Sequence, residues 1–375
     1  MPLKLVAFSN DPVSAYLAKG EIKENYFNPG GLFDQVHLIT PAQEDVSPGE
    51  VRSLAGRAEL FIHPVGRPGF LSLPFLFKPV TRLVRALRPD LIRAHNAWAA
   101  GALAVHAGKK LKIPTLIYLH IENDQRRRFD PALKYRLVKP LERYSLRGAA
   151  AAVCVSGFLE AYAARYGARR TVTVYNKVYA AQFARPAPQG FHDPVRVLCV
   201  GRLDPQKAPD IILRAVASLD PEQRVELTLI GQGSLKPGLE RLASELGIAD
   251  RVGFIGAVPH AEIQKHYRRA DIFALATHYE GFCIPVLEAM AAGLPVLVSD
   301  TPPLGEIIGE TGLIVDKTPE AFGRALGAWI EDPGPALALG RQAAVRAAEL
   351  DGKVMEDREV ELYKELLAGT RGGRS

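Results

Sequence analysis

The stretch Glu280-Gly-Phe-Cys283-Ile-Pro285-Val-Leu-Glu288-Ala-Met-Ala-Ala-Gly293-Leu-Pro295-Val-Leu-Val-Ser-Asp300 decides how this chain is read. It runs as loop, helix, glycine stop and buried strand. Just ahead, Asp271-Ile-Phe-Ala-Leu-Ala276 is another short apolar run, so Glu280 falls beyond a strand's carboxyl end. Pro285 suits the first turn of a helix, where its missing N–H costs nothing. Gly293 closes that helix and Pro295 prevents its continuation. Glu280 precedes the helix start, so the spacing to Glu288 is not two turns of one helix. One carboxylate and the helix-start N–H groups then face a crevice, with a second carboxylate one turn in. A helix N-terminus beside a strand's carboxyl end favours an anion, typically a phosphate. Local pattern alone also allows a surface loop and an amphipathic helix with an incidental glutamate.

Outward from this stretch the same alternation fills the chain. Val195–Val200, Val225–Ile230, Arg251–Phe254, Ile272–Ala276, Val296–Ser299 and Gly312–Val315 read as strands. Helices fall near 208–219, 235–246, 260–269, 285–292, 319–330 and 336–349. In the first half, Leu3–Phe8, Gln35–Ile39, Asp90–Ala94, Thr115–Leu119 and Ala150–Val155 read as strands. Helix-like segments lie between them near 12–22, 78–88, 98–110, 132–147 and 157–166. Alternating strands and helices predict an α/β class with two parallel, doubly wound sheets. The proline-rich Arg185–Pro194 is the best boundary, giving domains of 1–188 and 189–352. A last helix near 353–367, within a tail segment 353–375, has no strand after it and could pack anywhere, the first domain included. Two similar domains facing each other would bind ligands in the cleft between them.

The 375 residues suit two domains, and 47% hydrophobic content supports sizeable cores. No run reaches the roughly 18 apolar residues of a membrane span. The start, Met1-Pro-Leu-Lys-Leu-Val-Ala-Phe-Ser9, reads as a first strand and not as a signal peptide. Cys154, Cys199 and Cys283 lie in apolar surroundings without CxxC or metal-like spacing, which points to free thiols in a reducing compartment, hence the cytoplasm. Net charge is +6, unevenly spread: residues 1–190 hold 27 Lys+Arg against 14 Asp+Glu, and residues 191–375 hold 20 against 27. The first half is therefore a candidate for meeting something anionic. Nucleic acid is the poorest fit, because the cations lack interleaved aromatics or a reading module.

The loop Gly201-Arg202-Leu-Asp-Pro-Gln-Lys207 directly follows a strand. Arg202 offers a planar fork and Lys207 a flexible point charge, a pair that suits a diphosphate. Ile230-Gly231-Gln-Gly233 ends the next strand, and its glycines would let backbone approach a ligand. Each signal alone is weak. In order, GRLxxxK, a strand ending in GxG, and then Arg251–Asp300 resemble the retaining glycosyltransferases of family 4, which have the GT-B fold. The resemblance is strong over 195–350. In the first half, Leu116-Ile-Tyr-Leu-His120 resembles the family's strand ending in a functional histidine. Val153-Cys-Val-Ser156 and Val174–Phe183 resemble later segments.

The resemblance implies sugar transfer from a nucleotide-diphosphate sugar with retained configuration, and no cofactor or bound metal. Arg202 and Lys207 would neutralise the departing diphosphate, and Glu288 would take the ribose hydroxyls. Glu280 would contact the sugar, with Gly281, Phe282, Cys283 and Ile284 supplying backbone donors. Gly201, Gly231 and Gly233 would shape the donor site, and His120 would sit near the transferred sugar. His95 and Asn96, also at a strand end, are candidates for the acceptor side. The acceptor is a glycan, a lipid-linked glycan or a small molecule. Departures from the family pattern are Ala208, Cys283, Lys177 and Tyr179 where glycines and other family residues are usual. A nucleotide-sugar 2-epimerase and a non-catalytic binding protein are the alternatives. Lys78, Arg82, Arg85 and Arg88 share a helical side near Phe75, and Arg126–Arg128, Lys134, Arg136, Lys139, Arg143 and Arg147 widen the patch. Such a face could lie on an anionic membrane from the cytoplasmic side.

Overall fold

The apolar runs pair into two parallel sheets in a computed structural model describing residues 2–18, 22–69, 72–129 and 138–371. In the first sheet, β1 (Lys4–Phe8), β2 (Gln35–Thr40), β3 (Glu59–Pro64), β4 (Leu91–Ala94), β5 (Thr115–Leu119), β6 (Ala151–Cys154) and β7 (Thr171–Thr173) take the order β3-β2-β1-β4-β5-β6-β7. In the second, β8 (Val195–Val200), β9 (Val225–Ile230), β10 (Val252–Ile255), β11 (Ile272–Leu275), β12 (Val296–Ser299) and β13 (Leu313–Val315) take the order β10-β9-β8-β11-β12-β13. In each sheet the first strand sits where the strand order reverses, β1 beside β4 and β8 beside β11. Crevices at the carboxyl ends of such switch-point strands are where doubly wound sheets hold ligands.

The helices of the first half are α1 (Val13–Ala18), α2 (Leu73–Leu87), α3 (Ala99–Leu111), α4 (Asn123–Phe129), α5 (Lys139–Gly148) and α6 (Gly157–Arg165). Those that follow are α7 (Ala180–Phe183), α8 (Pro209–Ala217), α9 (Lys236–Glu245), α10 (His260–Arg269), α11 (Ile284–Ala291), α12 (Leu304–Ile308), α13 (Pro319–Glu331), α14 (Pro333–Glu349) and α15 (Gly352–Arg371). Central strands are buried on both faces, which is why they read as continuous apolar runs. The two strands absent from the sequence reading, β3 and β7, are the edges of the first sheet. They are only partly buried and carry Glu59, His63, Thr171 and Thr173.

The chain divides into two compact units, residues 1–175 with 354–375, and residues 176–353. The boundary near 188 therefore moves to 175/176. Its cause is α7, whose Phe183 is buried against Tyr267 of α10, ring centroids 5.5 Å apart. Arg185 then ties the proline-rich segment down by donating to the carbonyls of Ala292, Arg268 and Ala270 at 3.0, 3.0 and 2.7 Å. The last helix returns to the first unit, where Met355, Leu362, Tyr363 and Leu367 join the core formed by Leu5, Val36, Leu91 and Leu116. Among the described residues no helix is long and apolar enough to cross a membrane.

The segment expected as a helix over 132–147 begins at Lys139; residues 130–137, with Lys134 and Arg136, lie outside the described residues, as does the side chain of Arg126. The basic helix is longer than its expected 78–88, starting at Leu73, and leaves Phe75 79% exposed beside Lys78 and Arg82.

Candidate functional site

In the second unit, three loops leave the carboxyl ends of β8, β9 and β11 and are laced together by backbone. Leu203 N donates to Gln232 O at 2.9 Å and Leu235 N to Leu203 O at 2.9 Å, joining the first two. His278 N donates to Gln206 O at 2.7 Å and Gln206 Nε2 to Tyr279 O at 2.8 Å, joining the first and third. The glycines make this closeness feasible. A Cβ on Gly231, at φ +145°, would stand 1.9 Å from Gly201 O, and one on Gly233 2.1 Å from Leu203 O. Only hydrogen fits there.

The lacing brings Lys207 to Glu280. Lys207 Nζ donates to Glu280 Oε1 at 2.5 Å, and Thr277 Oγ1 donates to the same oxygen at 2.8 Å. Both charged side chains are nearly buried, 12% and 7% exposed. Burial alone would favour a neutral amine, but Cys283, once its thiol ionises at high pH, and Glu280 outweigh it and hold the ammonium charged above its ordinary range. Arg202 behaves differently. Its side chain is 65% exposed, pairs with Asp204 and donates to Gln206 Oε1 at 2.7 Å. The two cations expected as a pair are thus one buried, paired charge and one solvent-facing fork.

Helix α11 begins at Ile284, with Pro285 in its first turn and Cys283 as its N-cap at φ 87°, ψ 76°. This left-handed conformation is where the family has glycine, and the Cβ there is strained. Burial pushes the Cys283 thiol up to about 12, so it is a neutral filler at neutral pH. Phe282 is buried beside it and Gly281 continues the loop. One turn into the helix, Glu288 is 3% exposed. Its Oε2 accepts from Tyr267 OH at 2.8 Å, and its Oε1 lies 3.2 Å from Nε2 of His260, at the start of α10. The contact between His260 and Glu288 is one that no sequence motif signals. Burial, with Glu288 adding to it, raises the Tyr267 hydroxyl well above its ordinary range, so it stays a donor.

In the first unit, β4 and β5 end in His95-Asn96 and His120, whose imidazoles stack at 5.8 Å with an 11° interplanar angle. Beneath them lies a charge the sequence reading passed over. Arg93 is 2% exposed in the middle of β4. Its Nη1 reaches Glu359 at 3.3 Å and Tyr363 OH at 2.8 Å, both on α15. Its Nε and Nη2 lie 3.1 and 2.9 Å from His95 Nε2. Tyr118 OH donates to Glu359 at 2.5 Å, and the guanidinium lies 4.3 Å from the Tyr118 ring centroid. Because Arg93 can only donate, His95 Nε2 accepts and the ring proton sits on Nδ1. That N–H has no hydrogen-bond partner. Burial first, then Arg93, hold His95 well below its ordinary pKa. The same causes act on His120, although that residue is exposed.

A cavity of about 260 Å³ opens at these strand ends, with His95, Asn96 and His120 in its wall. Trp98, also in the wall, donates from Nε1 to Glu142 at 3.0 Å, and the fully buried Glu142 also accepts from Asn123 and Tyr162 at 2.6 Å each and from Arg127. Among the described residues no cluster of three His, Cys, Asp or Glu is placed to hold a metal.

Two family profiles match the chain: Glycosyltransferase Family 4 over residues 32–182, and Glycosyl transferases group 1 over residues 182–346. The chain is 36% identical over 179 residues to a D-inositol 3-phosphate glycosyltransferase of Rhodococcus jostii, 45% of this chain and 40% of that protein. It is 35% identical over 198 residues to a GDP-mannose-dependent alpha-(1-6)-phosphatidylinositol monomannoside mannosyltransferase of Mycolicibacterium smegmatis, 49% of this chain and 50% of that protein. These matches span half or less of the curated relatives' own length. Among solved structures, Anabaena HepE in complex with UDP matches with TM-score 0.77 and 18% identity, over 97% of this chain and all of that one. Sucrose-phosphate synthase from Thermosynechococcus elongatus matches with TM-score 0.76 and 21% identity, over 98% and 100%. The two sheets therefore form the GT-B fold, and the paired profiles run across His95, His120, Lys207, Glu280 and Glu288. The chain belongs to glycosyltransferase family 4, the glycosyl transferases group 1.

Proposed function

We propose that the chain transfers a sugar, with retention, from a nucleotide-diphosphate sugar held by the second unit. The observation that carries this is the Lys207–Glu280 pair, a buried cation at the mouth of a switch-point strand, set beside the start of α11. A charged ammonium there can follow the diphosphate as negative charge grows on it, the task that dominates departure of such a leaving group. Arg202, exposed and fork-shaped, adds a second contact. Glu288 accepts the ribose hydroxyls, and Gly201, Gly231, Gly233 and Gly281 let backbone come close. Phe282, Cys283 and Ile284 present the helix start to phosphate or sugar. The reaction needs no metal because these cations supply the charge. A GDP-sugar relative and a UDP-bound structural neighbour support the nucleotide-sugar class.

Glu280 touches sugar hydroxyls and is not the nucleophile of a double displacement, which needs an untied carboxylate on the far face. Its Oε1 is already held by Lys207 and Thr277. Front-face attack by the acceptor follows. His120 faces the transferred sugar, and the acceptor is held in the first unit near His95 and Asn96. We read α2, with exposed Phe75 beside Lys78, Arg82 and Arg85, as a contact for an anionic membrane on its cytoplasmic face. Salt-sensitive flotation with anionic vesicles tests that contact; binding indifferent to salt and lipid charge removes it. The donor reading is tested by thermal shift with UDP, GDP, ADP and dTDP sugars, since a ligand of the folded state raises its stability by mass action. One nucleotide should raise the unfolding temperature, and Glu288→Ala and Lys207→Ala should each abolish the rise. Full responses in both variants put the donor elsewhere.

A further inference from the structure

Resting on the reading that the first unit receives the acceptor, the cavity at the ends of β1, β4 and β5 narrows what that acceptor is. We propose that this cavity takes one uncharged, hydroxyl-bearing ring, a sugar or polyol, and turns away its phosphorylated counterpart.

Charge decides the first part. No lysine or arginine lines the cavity among the described residues, whereas Asp11 does. Arg93 is spent beneath the wall: Glu359 neutralises it, Tyr363 and His95 accept from its N–H groups, and the Tyr118 ring lies against its face. His95 does not substitute for it, because burial and Arg93 keep its imidazole neutral. A phosphate placed here would exchange its hydration for a carboxylate and neutral dipoles, a transfer that is strongly unfavourable without a paired cation.

The remaining lining suits a neutral ring. Tyr16, Tyr26 and Trp98 line it with aromatic carbon suited to the C–H side of a sugar, and Asn10 and Asn96 bring amide groups that exchange donor and acceptor roles with hydroxyls. The two amides are already set, Asn96 Nδ2 donating to Asn10 Oδ1 at 2.7 Å. His95, only 4% exposed, completes the wall, with its unpartnered Nδ1–H covered from solvent. Size sets the limit to one ring. The cavity's 260 Å³ falls short of the ~300–1,000 Å³ of sites that enclose drug-sized ligands. A longer glycan or lipid would place only its terminal ring here.

The experiment is saturation-transfer NMR and calorimetry on the full chain with mannose and myo-inositol, against mannose 6-phosphate and inositol 1-phosphate. Neutral rings should bind at least tenfold more tightly than their phosphates. Asp11→Lys should shrink that gap to threefold or less. Asn10→Trp, which fills the mouth from an exposed position, should abolish saturation transfer while leaving the unfolding temperature in place. Phosphates that bind as well as neutral rings, or neutral rings that do not bind at all, overturn the proposal. A nucleoside diphosphate titrated in parallel keeps the two readings apart: if it binds and the rings do not, this inference alone fails. If the rings bind and no nucleotide does, the donor reading fails instead.

Discussion

Replacing Lys207 with methionine keeps an unbranched side chain one atom shorter and removes its charge. Glu280, 5% exposed, then keeps only the Thr277 hydroxyl on the oxygen that Lys207 held. Breaking a buried pair by deleting one partner typically costs about 3–5 kcal/mol. The orphaned carboxyl has an escape, which is to take a proton. For a carboxyl of ordinary acidity that costs about 3.7 kcal/mol at pH 7, roughly 2.7 pH units at about 1.36 kcal/mol each. The escape caps the loss, so Lys207→Met should lower stability by about 3 kcal/mol at pH 7, or roughly 6–12 °C for a unit of this size. The cap falls with pH. At pH 5 protonation costs only about 1 kcal/mol, so the gap between the wild type and Lys207→Met should close by about 2 kcal/mol over those two units. Lys207→Met/Glu280→Gln, which removes both charges, should recover most of the loss at every pH. Differential scanning calorimetry at pH 5, 6 and 7 on the three variants reads all of this. A loss that does not change with pH, or a double variant as unstable as the single one, refutes an ionised buried pair.

Glu359→Ala should cost about 3–5 kcal/mol by leaving Arg93 unpaired, and hydrogen exchange should show β4 and β5 losing protection before any strand of the second unit. Cys283→Gly, at φ 87°, should leave thermal stability unchanged or raise it by up to about 1 kcal/mol, as strain relief offsets a lost thiol, while Cys283→Val should lower it by about 2 kcal/mol or more. Ala208→Gly, at φ 37°, should raise it by about 1 kcal/mol in the same melts. His37 is 5% exposed, and burial, then His63 and Lys4, lower its pKa to about 4. A base depressed in the folded state favours folding above its unfolded pKa near 6.5 and loses that stability as pH falls toward 4. Urea melts from pH 7 to 4 should show a loss of about 3 kcal/mol that His37→Asn removes.

The central strands were legible because two buried faces leave a continuous apolar run, and Val195–Val200, Val225–Ile230 and Val296–Ser299 fall where their sequence puts them. β3 and β7 were not, because edge strands face water and read as polar loops. Helices α4, α7 and α12 were too short for a periodic pattern to emerge. Within the site, Lys207, Glu280 and Glu288 could be named one at a time from motif and strand end. What they touch could not, since Lys207 and Glu280 are 73 residues apart and Arg93 and Glu359 are 266 apart. One signal was present. A charged residue inside Leu91-Ile-Arg-Ala94 demands a buried partner, and the last helix offers Glu359 and Tyr363 one turn apart. Arg202 shows the converse: the motif names it together with Lys207, and only burial tells the exposed fork from the buried charge.

The return of α15 to the first unit has a consequence for synthesis. Arg93, His95 and Tyr118 are all made early, but the carboxylate that neutralises Arg93 lies at position 359. At ~5–20 residues per second the ribosome needs on the order of 10–40 s to travel from the first boundary to Tyr363. Throughout that interval the nascent first sheet carries a cation without its counter-charge and an apolar face without its covering helix, while the contiguous second unit has all it needs to fold. The half encoded first is thus the half finished last. Chains stalled or clipped before Glu359 should expose the first unit, not the second, to chaperones and proteases.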